Sequence, residues 1–146
     1  MSYWDTSALV KLYVPETDST VFEQHARENP TSPVIARLAT WEARATFCRK
    51  ESEGAILPGT ATTVHSGLLA DIGSGEWRVI EFGPDVEAEF GRVLEFCWRQ
   101  NPPLFIRTLD AIQLASAAVS RETELVATDK RLREAAMALG FTLFPK

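Results

Sequence analysis

Short apolar runs alternate with longer stretches of helical periodicity along the chain, and this alternation limits the fold more than any other feature. Ser2–Trp4, Trp77–Phe82, Leu125–Ala127 and Phe141–Phe144 read as strands, with helical segments between them. Strands separated by helices pair in parallel, which implies an α/β protein with helices on both faces of the sheet. In such sheets, sites lie beyond the carboxyl ends of the strands.

The helices have clear limits. Asp5-Thr6-Ser7 is a start signal for Ala8–Tyr13, closed by Pro15, and Val21, Phe22, His25 and Ala26 keep helical spacing up to Asn29-Pro30. Thr31–Val34 reads as a strand that Pro33 confines to an edge. A long helix is expected from Ile35 to Glu53, and another from Pro58-Gly59 to Gly73-Ser74-Gly75. Pro84 opens a helix with a Val86, Phe90, Val93, Leu94 and Cys97 stripe, and Pro102-Pro103 stops it. Arg107–Ser120 is mostly apolar and reads as a buried helix, and Lys130–Leu139 as a helix capped by Gly140.

A length of 146 residues fits one domain spanning 1–146, and 45% hydrophobic residues exclude a disordered chain. Cys48 and Cys97 are expected to be core thiols in a reducing compartment. No signal peptide or membrane span is read, so the expectation is a cytoplasmic protein. The net charge of −5 argues against holding nucleic acid by bulk attraction, but it permits acids gathered at a metal site.

The placement of the acids is therefore informative. Asp5 follows the first strand and Asp129 follows Leu125–Ala127, which puts both at the carboxyl edge of the sheet. Asp110 falls in the first turn of the Arg107–Ser120 helix, where an acid also serves as a cap. Glu42 lies among Leu38, Ala39, Ala45 and Thr46, with no cation at i±3 or i±4. A carboxylate on such a face needs a partner, either a cation such as Arg107 or a metal ion. Four carboxylates in one pocket repel one another, and a hard cation such as Mg²⁺ or Mn²⁺ relieves that repulsion through oxygen ligands. Thr6, Ser7 and Thr128 flank the acids and are placed to orient a carboxylate or a water.

These segments resemble the PIN domain, and within it the VapC-type toxins of prokaryotic toxin–antitoxin pairs. Asp5-Thr6-Ser7-Ala8-Leu9-Val10-Lys11-Leu12-Tyr13-Val14-Pro15-Glu16 resembles the opening motif of the family, and Thr40-Trp41-Glu42-Ala43 its helical glutamate segment. Arg107-Thr108-Leu109-Asp110-Ala111-Ile112-Gln113-Leu114-Ala115 resembles its buried aspartate helix, and Leu125-Val126-Ala127-Thr128-Asp129-Lys130-Arg131-Leu132 its last acidic motif. The resemblance implies a three-layer α/β/α sandwich with a mainly parallel sheet, often a homodimer, that cleaves RNA with Mg²⁺ or Mn²⁺ and is restrained by an antitoxin protein. Asp5, Glu42, Asp110 and Asp129 would then form the catalytic metal site, supported by Thr6 or Thr128. A metal-activated water would attack the phosphodiester, with no covalent enzyme intermediate. Gln113 stands where many relatives carry His, a change expected to lie behind the carboxylates and to matter little. Lys130 and Arg131 replace a further acid found in some relatives.

Lys11 and Arg107 are candidates to bind RNA, and Arg37, Arg44, Lys130 and Arg131 are further cations for guiding it. Phe96 and Trp98 lie off the apolar stripe of their helix, which suits a dimer mate, an antitoxin or a covering loop. Two other readings stay open. One is a phosphatase with Asp5 as nucleophile, although position 7 is Ser where such sites often carry a second acid. The other is a binding module of the same fold without chemistry. A DNA nuclease lies closer to the favoured reading.

Overall fold

The structure, a computed structural model, describes residues 1–146. Five strands, β1 (Ser2–Trp4), β2 (Val34–Ala36), β3 (Arg78–Ile80), β4 (Glu124–Val126) and β5 (Thr142–Phe144), form one sheet. Their order is β3-β2-β1-β4-β5 and every neighbouring pair is parallel. The helices are α1 (Thr6–Leu9, continued by a 3₁₀ turn Val10–Leu12), α2 (Ser19–Glu28), α3 (Arg37–Ser52), α4 (Thr60–Gly73), α5 (Pro84–Trp98), α6 (Thr108–Ser120) and α7 (Lys130–Ala138).

Alternation along the strands builds two cores. Tyr3, Val34, Ala36, Leu125 and Ala127 face one side, where they meet Val93 and Cys97 of α5, Ala111 and Leu114 of α6, and Leu132 and Ala135 of α7. Trp4, Ile35 and Val126 face the other, where they meet Ala8, Phe22 of α2, Ala43 and Phe47 of α3, and Leu68 of α4. The three-layer α/β/α arrangement follows from this period of two, because the central strands β1, β2 and β4 are buried on both faces, while the edge strands β3 and β5 are only partly covered.

The structure corrects three expectations. The second strand is not an edge: it begins after Pro33, runs through Val34–Ala36 and pairs on both sides, with β1 and with β3. Pro33 needs no amide there, and its carbonyl accepts the Arg78 amide at 2.9 Å. Ile35 and Ala36 thus belong to this strand, and the long helix starts at Arg37. Cys97 is buried, but Cys48 is exposed, on the outer side of α3. Phe96 packs against the α5–α6 core, whereas Trp98 stays 49% exposed.

Candidate active site

The chain leaves β1 for one side of the sheet and later returns to β4 on the other, so the carboxyl ends of these strands open into a crevice. Asp5 directly follows β1, and its amide donates to the Val126 carbonyl at 2.9 Å, tying it to the end of β4. Asp129 ends the loop that leaves β4 and caps α7, its Oδ1 accepting from the Leu132 amide at 2.9 Å. Glu42 comes from α3, which starts where β2 stops, and Asp110 from the first turn of α6. All four carboxylates line one cleft of about 340 Å³, together with Thr6, Ser7, Gln113 and Thr128.

Each carboxylate is held by protein donors. Asp5 Oδ2 accepts from the Ser7 amide at 3.0 Å and the Ser7 hydroxyl at 2.6 Å, and Ser7 Oγ accepts in turn from the Thr128 amide at 3.0 Å. Ser7 therefore links the ends of β1 and β4, and Thr128 contributes its backbone N–H to that link. Glu42 Oε1 accepts from Thr6 Oγ1 at 2.8 Å and from Gln113 Nε2 at 2.6 Å. Its expected partner Arg107 is engaged elsewhere. Arg107 Nε donates to Asp110 Oδ2 at 3.1 Å, and Arg107 Nη2 lies 3.9 Å from Asp129 Oδ2. The Arg107 amide also donates to Asp110 Oδ2, at 3.3 Å, so Asp110 caps α6 as well as lining the cleft.

Gln113 is the residue whose importance the sequence concealed. It is buried on α6, touches Glu42 directly, and its Nε2 also donates to Thr6 Oγ1 at 3.1 Å. The Tyr3 hydroxyl donates to Gln113 Oε1. Burial and the nearby Asp5 and Glu42 charges hold the Tyr3 phenol well above its ordinary pKa, so it stays a donor and fixes which way the amide faces.

Burial pushes the Asp5 carboxyl up to about 6; the Ser7 hydrogen bonds pull it back and the Glu42 charge adds to the rise. Repulsion among the acids is thus felt at Asp5, while Arg107 lies between Asp110 and Asp129. The cleft is also richer in cations than expected. Lys11, Arg49 and Lys50 line it beside Glu16. Lys11 Nζ pairs with Glu16 and, at 2.8 Å, with Asp18, and Lys50 Nζ lies 2.6 Å from Glu16 Oε1. Lys11 is therefore a paired wall cation rather than a free one. Arg49 and Lys50 were not singled out from the sequence, although Glu42, Thr46, Arg49 and Lys50 follow the i, i+4, i+7, i+8 spacing of one helix face. Of the other cations, Arg37 pairs with Glu81 and Arg44 is exposed on α3.

Hard oxygen donors on carboxylates and hydroxyls are the set that Mg²⁺ or Mn²⁺ takes, so these residues fit such an ion chemically. They are not gathered into a finished cage: no three acidic, His or Cys side chains stand together as ready ligands. Arg107, Ser7, Thr6 and Gln113 hold the carboxylates in their place.

No protein-family model matches the chain. No curated protein matches it in sequence. Solved structures do match. VapC20 of Mycobacterium tuberculosis, a toxin that cleaves the sarcin–ricin loop, aligns with a TM-score of 0.66 at 17% identity, over 92% of this chain and 95% of that one. VapBC2 of Rickettsia felis, solved with a DNA fragment from its promoter, gives 0.64 at 18% identity, over 98% and 97%. A toxin–antitoxin complex of Klebsiella pneumoniae gives 0.59 at 16% identity, over 88% and 87%. No helix of the chain is long and apolar enough to cross a membrane. With its all-parallel sheet and paired helical layers, the chain has the PIN-like α/β/α fold seen in VapC-type toxin structures.

Proposed function

We propose that the chain is an endoribonuclease dependent on Mg²⁺ or Mn²⁺, the toxin of a toxin–antitoxin pair acting in the cytoplasm. The observation that carries this reading is that Asp5, Glu42, Asp110 and Asp129, from four separate segments, line one cleft at the carboxyl edge of a parallel sheet. These carboxylates would hold the ion, which when bound supplies a water of lowered pKa and neutralises charge on the phosphate under attack. The protein side chains do the positioning. Tyr3 orients Gln113, Gln113 and Thr6 orient Glu42, and Ser7 orients Asp5. Arg107 keeps Asp110 and Asp129 apart from full mutual repulsion and offers a guanidinium to a phosphate. Arg49 and Lys50 supply positive charge on the cleft wall for flanking phosphates.

Likeness to a toxin that cleaves the sarcin–ricin loop supports RNA as substrate, and likeness to a toxin–antitoxin complex supports a protein partner. Exposed Trp41 and Phe82, with ring centroids 5.6 Å apart, and exposed Leu109 support docking of an antitoxin or of a second copy as a homodimer. The direct test is incubation of purified protein with total RNA in Mg²⁺, Mn²⁺ or EDTA, followed by mapping of the cut sites. Discrete metal-dependent cuts, reduced by orders of magnitude in Asp110→Asn, are expected; full cleavage in EDTA or in the variant would overturn the reading. Expression should arrest prokaryotic growth, and co-expression of a small protein encoded beside it should restore growth.

A further inference from the structure

Behind Asp129 a second recess opens off the acidic cleft. Phe105, Arg107, Asp129, Lys130, Arg131 and Glu134 enclose about 460 Å³, and Arg107 and Asp129 belong to both spaces. Phe105 is 59% exposed. Trp98, itself half exposed, packs against it nearly perpendicular, with ring centroids 5.8 Å apart. The Arg131 guanidinium lies over the Phe105 ring, 4.8 Å from its centroid. Asp129 lies 3.9 Å from Arg107, and neither Lys130 nor Arg131 forms an ion pair with Asp129 or with Glu134, which lines the same recess.

An exposed aromatic ring with a guanidinium over it is the chemistry that takes an unpaired nucleobase, since every base offers a π-face that stacks on a ring or on a guanidinium plane. Unpaired cations beside it suit the phosphates on either side of that base. A protein-docking patch shares the aromatics and the arginine but is depleted of lysine at its centre, and Lys130 lines this recess. The apolar recess lined by Phe82, Val86, Phe90 and Ile112 has that protein-binding character, and it contains no cation.

We propose that Phe105, flanked by Arg131 and Lys130, is a stacking subsite for one unpaired base of an RNA strand whose neighbouring phosphate lies in the acidic cleft. The inference rests on the ribonuclease reading, and continuity of the two spaces through Arg107 and Asp129 carries it. It makes Phe105 a substrate-positioning residue for the base next to the phosphate in the acidic cleft.

The test measures binding by fluorescence anisotropy of a labelled single-stranded RNA octamer, in EDTA so that cleavage is suppressed. The same octamer carrying one abasic residue at each position in turn is the second probe. Phe105→Ala should weaken binding of the intact octamer roughly tenfold or more, and Phe105→Trp should restore it. One abasic octamer should bind the parent as weakly as the intact octamer binds Phe105→Ala, and should lose nothing further with that variant. Phe105 is exposed, so circular dichroism of both variants should match the parent. Equal affinity of Phe105→Ala and the parent overturns the subsite even if the parent cleaves RNA. Binding that depends on Phe105 in a chain that never cuts RNA upholds the subsite and overturns the nuclease reading. Absence of RNA binding by the parent in EDTA, together with no cleavage in Mg²⁺ or Mn²⁺, overturns both. Self-association abolished by Phe105→Ala, with RNA affinity unchanged, assigns the patch to a second copy and overturns the proposal.

Discussion

Burial and charge act together on Asp5, which sits at the end of β1 with a carboxyl raised to about 6. Because folding raises this pKa above its unfolded value near 4, protonated Asp5 stabilises the fold below about pH 4, and that contribution is lost as pH rises through about 6. In EDTA at pH 7.5, Asp5→Asn should therefore unfold at higher denaturant than the parent, by up to about 3 kcal/mol, while losing cleavage. The difference should shrink towards pH 4; an equal gap at both pH values would contradict the cause. Gln113 is expected to behave in the opposite way. Gln113→Leu keeps the volume but removes the amide that joins Tyr3, Thr6 and Glu42, leaving buried polar groups short of partners. It should cost about 1–3 kcal/mol in urea denaturation and lower kcat.

At the scale of elements, helix starts double as parts of the site. Asp129 caps α7 and Asp110 closes the first turn of α6, so removing either side chain mixes stability with chemistry. Two substitutions at one position separate them. Asn is as good an N-cap as Asp, so Asp129→Asn should keep its thermal midpoint and lose cleavage, whereas Asp129→Ala should lose cleavage and about 1 kcal/mol of stability. Equal stability of the two variants would show that the Leu132 amide bond contributes nothing to folding. The Glu42, Thr46, Arg49 and Lys50 face of α3 also combines acid and base. It carries a candidate ion-holding carboxylate at one end and phosphate-attracting charge at the other.

For the whole molecule, metal and fold are linked through carboxylates drawn from both ends of the chain. An ion that binds only the folded form at ten times its dissociation constant adds about 1.4 kcal/mol. For a domain of this size that is a rise of about 3–6 °C in thermal midpoint with Mg²⁺ over EDTA. Asp110→Asn should gain much less, and an equal gain in both proteins would show that Mg²⁺ does not act at this cleft.

Local patterning determined most of the elements, because alternation in Tyr3-Trp4 and Leu125–Ala127 and periodicity in α3 to α7 are written residue by residue. It also marked Asp5 and Asp129 for the carboxyl edge of the sheet, since each follows a strand. Pro33 marks the second strand locally as an edge, but pairing on both sides of Val34–Ala36 depends on β1 and β3, which lie far away in sequence. The partners of the acids were hidden for the same reason. Arg107 with Asp129, Gln113 with Glu42 and Ser7 with Thr128 are contacts between segments, with no periodicity to announce them. The sequence alone determined which side chains can take part in the chemistry. Tertiary structure decided which of them meet, because only closing the sheet brings the ends of β1, β2 and β4 to one cleft.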